Sequence, residues 1–68
     1  MTNIDVMTDA IRAGDAVLVG RCVDQFRAKC RMNYAQIFAL ARTRIPDLTI
    51  AAWDGLLEEA DYAEGNDP

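Results

Sequence analysis

The sequence predicts an all-α protein: a compact small domain of four short helices, in which a helical hairpin is followed by a helix-turn-helix-like pair. Apolar residues recur at intervals of three and four along most of the chain, and the alternation that is typical of strands is missing. Polar capping residues stand where helices would begin. A chain of 68 residues makes one domain. We expect this domain to occupy residues 1–63 and residues 64–68 to form a polar, frayed tail.

The first helix is predicted from about Ile4 to Ala13. Thr2 and Asp5 have the spacing of a capping box at its start. Gly14 is predicted to end the helix because glycine is the usual residue just past a helix C-terminus. One side of the helix is apolar and carries Ile4, Met7 and Ile11.

The second helix is predicted to begin after Asp15, whose side chain can cap it. Asp24, Arg27 and Arg31 have helical spacings typical of a solvated, salt-bridged surface. The opposite face is predicted to lie in the core and carries Val19, Cys22, Val23, Phe26 and Cys30. The two cysteines are eight residues apart, about 12 Å along one helix, which is too far for a disulfide. They are interpreted as small buried side chains in a reducing compartment.

The third helix has the sharper start signal. Asn33 is followed three residues later by Gln36, which predicts a capping box, and Met32 can pack on Ile37 as a hydrophobic staple. Pro46 disfavours helical backbone in the residue before it, so the helix should stop near residue 44. The predicted apolar face consists of Tyr34, Ile37, Phe38, Leu40 and Ala41.

The fourth helix is predicted to begin after Asp47 or Thr49, either of which can cap it. Gly55 inside it weakens the helix by up to about 1 kcal/mol relative to alanine. Its predicted apolar face consists of Ile50, Trp53, Leu56, Leu57 and Ala60. Acidic residues lie at or beyond the edge of that face.

The stretch AIRAGDAVLVGRCVDQ, residues 10–25, resembles the helix-loop-helix of an ankyrin repeat around Ala13, Gly14, Asp15 and Val19. The similarity covers under a quarter of the chain. The Thr-Pro-Leu-His turn signature of that family is absent. The resemblance therefore implies only a pair of helices joined by a tight turn.

Charge is unevenly distributed along the chain, and this bears on a DNA-binding function. Residues 21–45 carry six cations and one carboxylate, whereas residues 46–68 carry seven carboxylates and no cation. Arg27, Arg31 and Arg42 are the candidates for contact with an anion or a nucleic acid. A base-reading fourth helix would be repelled, because it has four acidic side chains and no basic one. The third helix could present Gln36, Arg42 and Arg44 instead. The alternative is a solvated basic face neutralised by the acidic fourth helix.

A protein partner is the function favoured by the fourth helix. Trp53 has the largest contact area of any side chain here, and tryptophan is enriched at binding hot spots. Leu56 and Leu57 flank it at helical spacing and could complete an apolar ridge, with Asp54 and Glu58 beside it. The alternatives are a tryptophan in the core and acidic residues that only keep the protein soluble.

Composition argues against catalysis. The chain has no histidine, and its cysteines are predicted on an apolar face where a thiolate is disfavoured. It has no glycine-rich phosphate loop and no calcium or zinc spacing, so no cofactor or metal is expected. The N-terminus lacks the pattern of a signal peptide and no run is long enough for a membrane span, which predicts a cytoplasmic protein.

The sequence therefore predicts a small, non-enzymatic, cytoplasmic protein-binding module. Tiny acidic single-domain chains of this kind resemble the accessory and regulatory proteins of bacteria and their phages, which occupy a surface of a larger protein. A homodimer is expected, because so short a chain has neither disulfide nor metal to compensate for a small core. The alternative hypothesis is a small transcriptional regulator that binds DNA through the basic second helix and the third helix.

Overall fold

Four α-helices make up the chain in this computed structural model, which describes residues 4–65 and their side chains through Ala63. The helices are α1 (Ile4–Ala13), α2 (Ala16–Cys30), α3 (Tyr34–Arg44) and α4 (Ile50–Gly65). The predicted all-α class, the number of helices and their order are confirmed. Within the described part of the chain, none of these helices is long and apolar enough to cross a membrane.

The turn between α1 and α2 depends on Gly14. This residue has a φ of +72°, which side chains disfavour. The Gly14 N–H donates to the Ile11 carbonyl at 3.1 Å, and the Asp15 N–H donates to the Ala10 carbonyl at 2.9 Å. These are the two hydrogen bonds of a Schellman motif, so the predicted role of glycine at this helix end is confirmed. The first predicted cap is not tested, since Thr2 lies outside the described residues.

The predicted cap of α2 is confirmed, because the Asp15 side chain accepts a hydrogen bond from the Leu18 N–H at 3.3 Å. The C-terminus of α2 is capped without a glycine. Arg31 adopts the left-handed conformation with a φ of 54°, and its backbone N–H donates to the Phe26 carbonyl. This conformation turns the chain sharply toward α3.

The capping box of α3 is confirmed on both sides. The Gln36 N–H donates to Asn33 Oδ1 and the Asn33 N–H donates to Gln36 Oε1, each at 2.9 Å. Met32, the predicted staple residue, is partly buried against the core cluster that contains Ile37. The helix ends at Arg44, as the proline at position 46 predicted.

Thr49 caps α4, since its hydroxyl accepts a hydrogen bond from the Ala52 N–H at 3.1 Å. This decides between the two predicted caps, Asp47 and Thr49. The helix continues to Gly65, past the predicted end of the domain at residue 63. The remaining residues of the predicted tail, 66–68, lie outside the described residues.

The core is formed by one apolar cluster to which all four helices contribute. Its largest fully buried side chain is Trp53, which is 1% exposed. The Thr8 hydroxyl is also buried but donates to the Ile4 carbonyl at 2.9 Å, so it is satisfied. The cluster consists of Met7, Ala10, Val19, Cys22, Val23, Phe26, Ile37, Ala41, Leu48 and Trp53.

The helix α2 is the centre of the fold, and α4 packs against it more extensively than any other pair of helices does. The closest approach is at Gly20, where an added Cβ would lie 2.8 Å from the Cβ of Ala60. Helix α1 also packs on α2, and α3 contacts both α1 and α2. The backbones of α3 and α4 make little contact with each other.

Three residues of the predicted apolar faces are exposed, and for Cys30 the prediction of a core position is wrong. Cys30 is exposed because it is the last residue of α2, beyond the part of the helix that other elements cover. Tyr34 and Ile50 are 48% and 57% exposed, and each is the first residue of its helix. Periodicity alone places such end residues on an apolar face, but coverage depends on how far the neighbouring helices extend.

The predicted solvated surface of α2 is confirmed, since Asp24, Arg27 and Arg31 are all exposed, but its predicted salt bridge is wrong, because Asp24 makes no ion pair with Arg27. Within the described residues, the ion pair found joins α1 and α3: Arg44 Nη1 lies 2.7 Å from Asp5 Oδ1. Arg12 strengthens the same junction by donating to the Arg44 carbonyl at 3.2 Å. The basic segment is therefore partly neutralised by α1, and no ion pair connects it to the described residues of α4.

Candidate functional site

The predicted partner-binding ridge of Trp53, Leu56 and Leu57 does not exist as one surface. Trp53 is buried, and its ring packs against that of Phe38 at a centroid distance of 5.8 Å. The two leucines are half-buried and line different grooves on opposite sides of α4. Of the two alternatives for Trp53, the core and an exposed ridge, the structure confirms the core, because successive residues of a helix point about 100° apart and α4 is covered on the side between the two leucines.

The first groove lies between α3 and α4 and has α2 at its base. It encloses about 630 Å³. Its apolar lining includes Val23 from α2, Phe38 from α3, and Ile50, Trp53 and Leu57 from α4. Its charged lining consists of four carboxylates, which belong to Asp24, Asp54, Glu58 and Asp61. We call this feature the acidic groove, because no lysine or arginine is among the lining residues that the structure describes.

The acidic groove borders the closest contact between α2 and α4, and Gly20 and Ala60 of that contact belong to its lining. Gly20 of α2 has no side chain and Ala60 of α4 has only a methyl group, so these two helices approach closely where the two residues meet. Bulky rings, by contrast, separate α3 from α4, where Phe38 meets Trp53. Helix α4 is thus held against α2 and away from α3, which leaves apolar surface uncovered between them.

Tyr34 forms the lip of the acidic groove on the α3 side. The Arg27 guanidinium carbon lies 4.5 Å from the centroid of the Tyr34 ring, within the range of a cation–π contact. Arg27 Nη1 also donates to the Tyr34 hydroxyl at 2.9 Å. These two contacts hold an exposed aromatic side chain in place at the groove.

The second groove lies on the opposite side of α4 and encloses about 560 Å³. Leu56 and Leu48 contribute apolar surface to it. Its charged lining contains both signs, because Arg12 is present together with Asp47 and Glu59. We call it the mixed groove. Charge therefore distinguishes the two grooves more clearly than size does.

The predicted acidic partner-binding residues Asp54 and Glu58 are exposed and line the acidic groove. Sequence reasoning missed the contributions of Asp24, Tyr34 and Ile50 to the same surface. Asp24 was interpreted as the partner of an arginine, and the other two as members of the apolar faces of their helices. Their spacing within each helix gave no signal, because the groove brings together residues from three helices that only the packing places side by side.

The three arginines that were predicted to contact an anion lie in three different environments. Arg27 is held on Tyr34, as described above. Arg42 donates to the Pro46 carbonyl at 3.2 Å, and its guanidinium carbon lies 5.8 Å from the Phe38 ring centroid. The Arg31 side chain is exposed and makes no hydrogen bond or ion pair with the residues that the structure describes. The structure does not bring these three arginines together in one shared contact.

The predicted base-reading residues of α3 are all used within the chain. Gln36 completes the capping box, Arg42 bonds to the α3–α4 connection, and Arg44 pairs with Asp5. The connection from α3 to α4 spans residues 45–49, which is longer than the turn of three to four residues in a helix-turn-helix.

The two cysteines differ in environment. Cys22 is buried in the core, and desolvation raises the pKa of its thiol, so the thiolate is disfavoured. Cys30 is exposed at the end of α2. Both are free, in agreement with the prediction that their spacing on one helix prevents a disulfide.

Comparison with models of known protein families, with characterised proteins and with solved structures finds no match to this chain.

Proposed function

We propose that this protein is a small, non-enzymatic binding module that holds a segment of another protein in the acidic groove. The observation that carries the proposal is the apolar lining left uncovered between α3 and α4, at a place where three helices converge. Concave apolar surfaces with a few polar groups are the usual binding sites of folded domains. The proposal includes a regulatory or accessory role, of the kind that small bacterial and phage proteins perform by occupying a partner's surface.

The lining chemistry supports a protein ligand over a nucleic acid. A phosphate backbone requires cations, whereas the acidic groove has four carboxylates and no cation among its described lining residues. An apolar protein surface would be desolvated on docking, and each buried Å² contributes about 25 cal/mol to binding before the costs of association.

Leu57 and Leu56 provide a matched test. They are adjacent on α4, chemically identical and both half-buried, but Leu57 lines the acidic groove and Leu56 the mixed groove. We expect Leu57→Gln to abolish capture of a partner from the native host's extract, whereas Leu56→Gln retains it. Affinity purification with both variants, each checked for helicity by circular dichroism, measures this. A partner that is lost equally with both variants would contradict the assignment to the acidic groove.

The second candidate function is DNA binding through the basic segment. Arg21, Lys29 and Arg31 favour it, because their side chains are exposed and form no ion pair with the described residues. The test is retention on heparin at low salt by the natural protein and by Arg27→Ala/Arg31→Ala. Retention that falls steeply with salt and is lost in the double variant would support this candidate and oppose the first.

Homodimerisation remains part of the proposal, since a chain of 68 residues has little core of its own. Sedimentation equilibrium over a range of concentrations tests it. Leu57→Gln and Leu56→Gln again serve as probes: a dimer that Leu56→Gln alone weakens would use the mixed groove and leave the acidic groove free for a partner.

A further inference from the structure

We infer that the segment held in the acidic groove is a basic amphipathic helix of a different protein, with lysine or arginine flanking its apolar stripe. This inference rests on the proposed function and specifies the chemistry of the ligand. Two features of the groove carry it: the row of carboxylates along its outer edge and the length of the apolar strip beside them.

The carboxylates of α4 form one row. Asp54, Glu58 and Asp61 are separated by four and then three residues, so they lie on one face of the helix along successive turns. All three are exposed and line the groove. Three like charges in a row are unfavourable to each other, and a ligand with cations at the same spacing would relieve that repulsion.

Apolar side chains of α4 run beside this row. Ile50 and Leu57 are two turns apart and line the same groove. From residue 50 to residue 61 the helix rises about 16 Å, the length of three helical turns. A helix of that length with apolar residues at positions i, i+3 or i+4, and i+7 matches the strip, and this is the usual pattern of a helix bound in a groove.

A second copy of this chain does not fit the groove. Docking α4 against its own copy across a twofold axis would bring the two acidic rows together, which is repulsive. The basic helix α2 is no better an occupant, because its apolar residues Val19, Val23 and Phe26 are already buried in the core. The ligand must therefore supply both its cations and an exposed apolar stripe, and both belong to another protein.

The occupant's charge can be tested with defined peptides. The first is a helix of about 18 residues with a leucine stripe flanked by lysines, long enough to be helical in water. In the second every lysine is replaced by glutamine. The third has the composition of the first in scrambled order, which removes the stripe. The chain contains one tryptophan, Trp53, which lines the groove, so its fluorescence reports binding of tryptophan-free peptides.

We expect the lysine peptide to bind about tenfold more tightly than the glutamine peptide at low salt, since it makes several exposed charge pairs. In about 1 M salt, where the Debye length is about 3 Å, the two affinities should converge. The scrambled peptide should bind at least about tenfold more weakly than the lysine peptide, because it has cations but no stripe.

The variant Asp54→Asn/Glu58→Gln/Asp61→Asn should lose most of the preference for the lysine peptide, because Asp24 is then the remaining carboxylate among the described lining residues. Glu59→Gln is the matched control, because this exposed carboxylate of α4 lines the mixed groove instead. It should preserve the preference for lysine. Circular dichroism confirms that each variant is folded.

The outcomes separate the ligand's charge from the function of the groove. Equal binding of the lysine and glutamine peptides to the natural protein, lost in Leu57→Gln, would overturn this inference and leave the proposed function standing. Failure of all three peptides would also overturn it. The proposed function itself fails if Leu57→Gln has no specific effect on partner capture.

Discussion

The two flanks of α4 are built differently. On the α2 side, Gly20 and Ala60 bring the helices so close that one added carbon would collide at 2.8 Å. On the α3 side, two aromatic rings separate the helices and leave about 630 Å³ of open groove. Small residues thus produce a closed seam and large ones an open groove, because contact size sets the distance between packed helices.

Residue size, more than apolar character, decides which side of this helix remains free to bind. Both flanks make apolar contacts, and the seam residues Gly20 and Ala60 themselves line the acidic groove, so the closed contact forms part of the wall of the open groove. The two flanks of α4 also differ in charge, since the carboxylates of the acidic groove lie on the open flank.

The largest effect is expected for Trp53→Ala, which removes the side chain that belongs to both the core and the acidic groove. Loss of a buried tryptophan costs about 3–5 kcal/mol, comparable to the whole stability of a small domain. The variant should lack a cooperative thermal transition by circular dichroism. A folded variant that has lost only peptide binding would show that Trp53 belongs to the site and not to the core.

The closed seam is tested by a pair of identical changes. At Gly20, alanine gains up to about 1 kcal/mol of helix propensity but overpacks the seam by about 1–3 kcal/mol, so a net loss of about 1 kcal/mol is expected. At Gly55, nothing lies within 4 Å of an added Cβ, so Gly55→Ala should stabilise the protein by up to about 1 kcal/mol. Urea denaturation measures both. Equal effects would mean that the seam is looser than described.

A substitution on the open flank of α4 should cost less stability than a substitution on the closed flank. Ile50 is 57% exposed at the start of α4, and Ile50→Gln should change the free energy of unfolding by no more than about 0.5 kcal/mol. The same variant should weaken binding of an apolar ligand in the acidic groove. A loss of stability as large as that of Gly20→Ala would indicate that the groove is closed in solution.

The smallest effect concerns the junction of α1 with α3, which lies away from both flanks. The side chains of Arg44 and Asp5 are 50% and 69% exposed, so their ion pair should contribute less than about 0.5 kcal/mol. A double-mutant cycle with Arg44→Ala and Asp5→Ala measures the coupling. A coupling above about 1 kcal/mol would mean that the junction stabilises the position of α3 and hence the width of the groove.

Local sequence signals predicted the helices well. Gly14, Asp15, Asn33 and Pro46 each mark a helix boundary that the structure confirms. These signals work because caps and turns depend on hydrogen bonds and backbone angles within a few residues. The predicted ridge on α4 failed because side-chain burial depends on which neighbouring helix covers each side.

The sequence by itself determined the number of helices, most of their boundaries and the segregation of charge, since each depends on residue type and short-range spacing. Only the tertiary structure decided that Trp53 is buried, that Leu56 and Leu57 face different grooves, and that Asp24 joins the carboxylates of α4. The physical reason is that a binding surface is made of what packing leaves uncovered. The uncovered surface depends on the distances between helices. Here the Gly20–Ala60 contact and the Phe38–Trp53 contact set those distances.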